Sequence, residues 1–213
     1  MVRQRLSEDQ RRQEILEAAR KCFLEKGFAD TTMEAVIERT TLSKGGVYRY
    51  YPSTVQMLAD LMKKGTNHRF NILRESWCIH KGDQEAFIDY LVDGLYQKII
   101  DENPYKKLYA LFLLEVPKNE ELLKLKVGLI QHFFSIFSQE EYSSSELIQV
   151  FKNRAFIEFI NAMIVGVEMI DMCEIFIQQP DVLKTLIQAY FKKSLNQWME
   201  VDVWIEKINE KNC

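Results

Sequence analysis

The segment Lys44-Gly45-Gly46-Val47-Tyr48-Arg49-Tyr50 carries the residue types with the clearest chemistry in the chain. Arginine is the commonest bidentate reader of guanine edges, and Arg49 is placed for that task. Lysine, tyrosine and serine hydroxyls serve phosphates, which nominates Lys44 and Tyr48 of this segment. Gly45 and Gly46 are poor helix formers. Two together at a helix start predict close approach of the backbone to a phosphate or a base edge.

Such a segment works only when neighbouring elements hold it. Thr32–Thr40 and Lys44–Tyr50 read as two short helices separated by a few residues, the spacing of a helix-turn-helix. Val36 and Ile37 on the first pack on Val47 and Tyr51 of the second, which lie four apart and share a face. Lys44, Gly45, Tyr48 and Arg49 then face outward. Upstream, Ser7-Glu8-Asp9-Gln10 is a capping box that opens a helix with an apolar stripe at Ile15, Ala18, Ala19, Cys22 and Phe23. Gly27 ends it. Thr31 to Glu34 and Ser53 to Gln56 form two more capping boxes, and the second opens a long helix running to about Ile79.

No strand pattern persists over the 213 residues, so the expected fold class is all-α, with about nine helices. Residues 1–52 are expected to form a helix-turn-helix DNA-binding domain. Residues 53–213 are expected to form an effector-binding and dimerisation bundle. Net charge is −3, but residues 1–52 carry ten Lys/Arg against eight Asp/Glu, so the DNA-facing part has the more basic balance.

Several classes fall away. The apolar stretch 156–177 contains Glu158, Glu168, Asp171 and Glu174, each costing about 2.5–3.5 kcal/mol mid-bilayer, so no membrane span is expected. The charged N-terminus lacks a signal-peptide core, and the expected location is the cytoplasm. Cysteines at 22, 78, 173 and 213 have no CxxC spacing and read as reduced thiols, with a redox sensor as the alternative. The three histidines match no ligand spacing, so neither a metal nor a cofactor is expected. There is no zinc-protease His-Glu-x-x-His, no phosphate loop and no nucleophile elbow, so the chain is not read as an enzyme.

The order Gly27-Phe28-x-x-Thr31-Thr32, Val36-Ile37, Leu42-Ser43-Lys44-Gly45-x-Val47-Tyr48-x-Tyr50-Tyr51-Pro52-Ser53 closely resembles the signature of the tetracycline-repressor (TetR) family over about residues 8–58. The resemblance implies a repressor that binds a palindromic operator as a homodimer and is released by a small effector. It implies phosphate contacts from Thr32, Tyr48 and Tyr50, a lead-in at Ser43 and Lys44, and base-facing positions at Gly46 and Arg49. Two departures stand out. The family's Ala-Gly in the turn is Thr40-Thr41 here, and a positive φ at Thr41 would strain a β-branched residue by about 1–2 kcal/mol. The family's lysine after Ser53 is Thr54, which leaves a hydroxyl in place of a cation.

Beyond residue 58, a helix from about Glu146 to Ile177 is expected. It places Phe159, Ala162, Gly166, Met169 and Cys173 on one arc. With Leu186 and Tyr190 of the last helix these form the expected dimer surface. Aromatic residues crowd the middle of the chain, and the expected effector pocket comprises Trp77, Tyr90, Tyr109, Phe112, His132, Phe133, Phe137, Phe156, Glu158 and Met163. The effector is expected to be apolar. The alternative function is a DNA-binding regulatory or structural protein of the same fold without a small-molecule effector.

Overall fold

The computed structural model describes residues 7–80, 84–102, 104–137 and 153–193, with the side chains of 68–80, 84, 87, 136 and 137 outside the description. The described residues are helical, without strands. In chain order the helices are α1 (Glu8–Lys26), α2 (Met33–Ile37), α3 (Lys44–Tyr50), α4 (Thr54–His80), α5 (Gln84–Ile100), α6 (Pro104–Glu115), α7 (Glu120–Phe137), α8 (Arg154–Met169) and α9 (Cys173–Gln178). The last described helix, α10, spans residues 180–193. The chain divides into two packed units. One comprises Met1–Arg69 with Glu102–Phe133, and the other Phe70–Asp101 with Phe134–Cys213.

The first unit begins at the expected capping box. Ser7 Oγ accepts from Gln10 N–H, and Gln10 Oε1 accepts from Ser7 N–H at 2.8 Å. Ile15, Leu16, Ala18, Ala19, Cys22 and Phe23 are the buried stripe of α1. Gly27 closes the helix at φ +80°, a conformation L side chains rarely adopt, and its N–H reaches Phe23 O at 2.9 Å. The stripe packs with Val36 of α2, Val47 of α3, Tyr51, and Met57, Leu58 and Leu61 of α4. Leu108 and Phe112 of α6 and Leu122 of α7 complete the same core. Burying side chains of this size contributes about 1.5–3 kcal/mol each, so the three N-terminal helices draw stability from α6 and α7 as well as from one another.

In the second unit α5 packs against α8 and, at its C-terminal end, against α9. Ile88, Leu91, Val92, Tyr96 and Ile99 of α5 are buried, as are Phe156, Ile160, Ile164 and Val167 of α8 and Leu183, Ile187 and Phe191 of α10. Tyr96 Oη donates to Phe176 O at 3.0 Å, and Cys173 Sγ donates to Ile100 O at 3.3 Å, which ties α9 to α5. Lys184 pairs with Asp93 at 2.8 Å.

Four local expectations are corrected. The second helix is capped by Thr32, whose Oγ1 accepts from Ala35 N–H at 3.2 Å. Thr31 is buried and donates to Gly27 O at 2.7 Å instead, so the cap sits one residue later than expected. The helix also ends at Ile37 rather than Thr40. The expected continuous helix to Ile177 breaks after Met169. Asp171 there has φ +56°, the one non-glycine residue with positive φ among those described. Aspartate is among the few residues that tolerate that region. Thr41 is not in it, so the anticipated strain in the turn is absent.

Candidate nucleic-acid interface

The turn between α2 and α3 is held by side chains. Thr40 Oγ1 donates to Ile37 O at 3.0 Å and accepts from Leu42 N–H at 3.3 Å. Glu14 of α1 accepts from Thr41 N–H. Arg39 forms a two-pronged pair with Glu25 of α1. That pair raises the arginine's pKa and holds the glutamate's below the ordinary value, in each case chiefly through the hydrogen bonds between them. The sequence signals for a turn, glycine above all, are missing at Thr40-Thr41. Carboxylates from a helix many residues upstream take their place.

Helix α3 starts at Ser43, whose Oγ accepts from Gly46 N–H at 3.2 Å. Gly46 is explained by this cap, because a Cβ there would lie 3.3 Å from Ser43 Oγ and 3.5 Å from Leu42 Cβ. Gly45 is exposed, with nothing within 4 Å of a Cβ position. Val47 is the one buried residue of α3. Around it Lys44, Tyr48 and Arg49 are exposed, and Tyr50 is half-buried. Thr32, Ser43 and Ser53 each accept from a backbone N–H at a helix start. A capping hydroxyl that accepts in this way keeps its own hydrogen to donate outward. Thr54 is half-buried at the start of α4, next to the Ser53 cap.

The cations of this surface differ in what they do. Lys44 Nζ pairs with Glu34 Oε1 at 3.2 Å and lies 5.9 Å from the Tyr48 ring centre. Arg12 sits over the rings of Tyr50 and Tyr51 at 5.4 and 5.6 Å. Arg49 has no ion pair among the described residues. Its guanidinium is free to fork onto a planar acceptor pair such as guanine O6 and N7. The sequence did not signal the Lys44–Glu34 pair or the Glu14 contact, because both join helices only through the fold.

The expected pocket residues distribute between the two packed units. In the first, Phe112 is buried and its ring lies 6.0 Å from that of Tyr109. His132 Nε2 is 3.1 Å from Asn67 Oδ1, and Phe133 is half-buried. In the second, Phe156 is buried and stacked on Tyr190 at 4.0 Å. Glu158 accepts from buried Asn161 at 3.2 Å, and Tyr90 and Met163 are half-buried. The side chains of Trp77 and Phe137 lie outside the described residues.

Of the expected dimer residues, Phe159, Ala162, Met169 and Leu186 are exposed. Gly166 is buried, and Met172 Sδ would lie 3.3 Å from a Cβ placed there. Cys173 is bonded within its own unit. Tyr190 is half-buried, and its hydroxyl has no hydrogen-bond partner among the described residues. Buried Cys22 donates to Ala35 O, and burial pushes its thiol up, which disfavours the reactive thiolate. Among the described residues no helix is long and apolar enough to cross a membrane, and no cluster of metal-ligating side chains occurs.

The profile of bacterial regulatory proteins of the tetR family matches residues 15–61, the stretch that builds this surface. A Bacillus subtilis (strain 168) protein described as an uncharacterized HTH-type transcriptional regulator, YfiR, is 30% identical over 141 residues, 65% of this chain and 68% of that protein. Among solved structures, Salmonella enterica GusR is similar in fold, with a TM-score of 0.65, 18% identity, and coverage of 88% of this chain and 98% of that one. The Bacillus subtilis regulator FadR in complex with stearoyl-CoA has a TM-score of 0.51, with 14% identity over 86% of this chain and 97% of that one.

Proposed function

The chain belongs to the tetR family of bacterial regulatory proteins, and from that premise we propose that it is a cytoplasmic, ligand-responsive repressor that binds a palindromic operator as a homodimer. That it is a DNA-binding transcription regulator, and not an enzyme, follows from the family. The observation that carries the finer reading of the DNA surface is Arg49. It is an exposed guanidinium on α3 with no ion pair among the described residues, while Arg12, Arg20 and Arg39 are all engaged by their own chain. In this reading Arg49 reads a base edge. Thr32, Tyr48, Tyr50 and Thr54 meet phosphates, and Lys44 exchanges Glu34 for a phosphate at little cost, since exposed pairs are weak. Ser43 with Gly45 and Gly46 brings the start of α3 close to the duplex.

The homodimer is supported by the exposed apolar side chains of α8 and α10, which include Phe159, Met169, Val182 and Leu186. Two copies let each short reading helix engage one half of a palindrome. The effector is proposed to be small and apolar. The stack of Phe156 on Tyr190, with a buried tyrosine hydroxyl lacking a partner among the described residues, offers an aromatic wall and one polar anchor. The similar fold of FadR bound to stearoyl-CoA makes a long acyl chain, presented as its CoA thioester, the first probe.

The test is to select duplexes from a randomised pool with the full chain and then add stearoyl-CoA and a panel of apolar drugs. A palindromic consensus, two protomers per duplex and release by one compound are expected. An asymmetric consensus bound by one protomer would overturn the dimeric reading. A duplex that no compound releases, together with no compound bound by the free protein, would favour a regulator of the same fold without an effector.

A further inference from the structure

Helix α3 is seven residues long, includes two glycines and buries only Val47. Tyr50 is half-buried against the same core, and apolar packing of this kind is non-directional, so it fixes the roll of so short a helix only weakly. Its start is held by the Ser43 cap. At its end, Tyr51 is buried to 2% exposure, and its N–H returns to Val47 O at 3.0 Å. The Tyr51 hydroxyl donates to Asp60 Oδ2 at 2.9 Å, in the second turn of α4. Arg12 of α1 lies over the rings of both Tyr50 and Tyr51, at 5.4 and 5.6 Å from their centres. Burial and the neighbouring carboxylate push the Tyr51 hydroxyl up to about 12, so it remains a donor throughout the neutral range. A phenylalanine would fill the same apolar space. The hydroxyl adds a direction.

We propose that Tyr51 is a positioning residue for DNA reading, and that its bond to Asp60, braced by Arg12, fixes the roll of α3 so that Arg49 meets one base edge. The proposal rests on α3 being the reading helix. The clamp joins α1, the end of α3 and α4, and does not depend on the proposed effector. Removing the direction while keeping the ring leaves the core filled and lets Arg49 sample several bases. Discrimination between sequences then falls more than overall affinity for DNA does.

The experiment compares Tyr51→Phe, Asp60→Asn and Asp60→Leu with the natural chain. Each is measured against the duplex that the natural chain recovers from a randomised pool and against a scrambled duplex of equal length. Amide hydrogen exchange across residues 44–51 is followed without DNA. For Tyr51→Phe, affinity for the selected duplex is expected to fall about tenfold, the upper end for one ordinary hydrogen bond. Affinity for the scrambled duplex stays within about twofold, and exchange in α3 accelerates while α1 is unchanged. Asp60→Asn keeps an acceptor oxygen and is expected to remain close to the natural chain, whereas Asp60→Leu behaves like Tyr51→Phe.

A lowered melting temperature with unchanged discrimination and unchanged α3 exchange would overturn the proposal, as would equal losses on both duplexes. Equal damage from Asp60→Asn and Asp60→Leu would overturn it too, by assigning the effect to charge. Should Tyr51→Phe fail to fold, the two Asp60 variants separate the same outcomes. The exchange measurement decides the clamp even if the natural chain recovers no duplex, an outcome that counts against the DNA reading alone.

Discussion

Around the helix-turn-helix, most polar side chains at the surface are already occupied. Glu14 holds Thr41 N–H, Glu25 holds Arg39, Glu34 holds Lys44, and Arg12 lies over two tyrosines. Exposed Arg49, on the reading helix, has no ion pair among the described residues. In the unit of α5 and α8 to α10 the unusual residues are apolar. Ile170 is 72% exposed, Ile175 57% and Leu186 55%, while polar contacts join α5 to α9 and α10. A polar surface with one spare guanidinium is suited to a charged, directional partner. An apolar surface that a lone soluble domain would be expected to hide is suited to a second protein surface.

The sharpest way to break this contrast is to truncate one phenylalanine in each unit. Phe23→Ala removes a fully buried ring and is expected to cost about 3–5 kcal/mol of stability by denaturant titration. Phe159→Ala, at 38% exposure, is expected to cost much less at protein concentrations where the chain is monomeric. Similar costs for the two would abolish the distinction. Next in size, Leu186→Glu places a charge in the proposed dimer face. It should weaken self-association by about 2–4 kcal/mol, read as a dissociation constant by sedimentation, with the monomer's melting temperature nearly unchanged.

Arg49→Ala is expected to lose about 1–3 kcal/mol of affinity for a selected duplex, concentrated at one base position. An equal loss on every sequence would reassign Arg49 to a phosphate. The smallest effect concerns the two turns. Asp171→Gly relieves a positive φ and should raise stability by up to about 1 kcal/mol. Thr41→Gly relieves nothing and should lower the melting temperature, because glycine adds freedom to the unfolded chain. A gain at 41 with none at 171 would reverse the assignment of strain.

Much of the first unit is legible in the sequence because its signals are local. Ser7 with Gln10, Gly27, Ser43 and Ser53 are caps or stops whose partners lie within four residues. The stripe of α1 follows helical periodicity. The break at Asp171 is not legible, since nothing in Met169-Ile170-Asp171-Met172 is a helix breaker. The turn at Thr40-Thr41 misleads for the opposite reason. Its local chemistry suggests strain, and Glu14 of α1 supplies a bond that no local pattern encodes. The aromatic residues are legible as apolar and no further. Periodicity cannot say that Phe112 closes one core while Phe156 stacks on Tyr190 in another.

The sequence by itself determined that the described residues are helical, where α1 begins and ends, where α3 and α4 begin, and which face of Lys44–Tyr50 points outward. Each of these depends on interactions within one or two helical turns. Which cations are already spent and which hydroxyl fixes the end of α3 was decided only by the tertiary structure. Those outcomes turn on side chains that folding brings together from distant positions, such as Glu14 with Thr41, Glu34 with Lys44, and Arg12 with Tyr51. Their energies depend on burial and distance, which a linear order of residues does not contain.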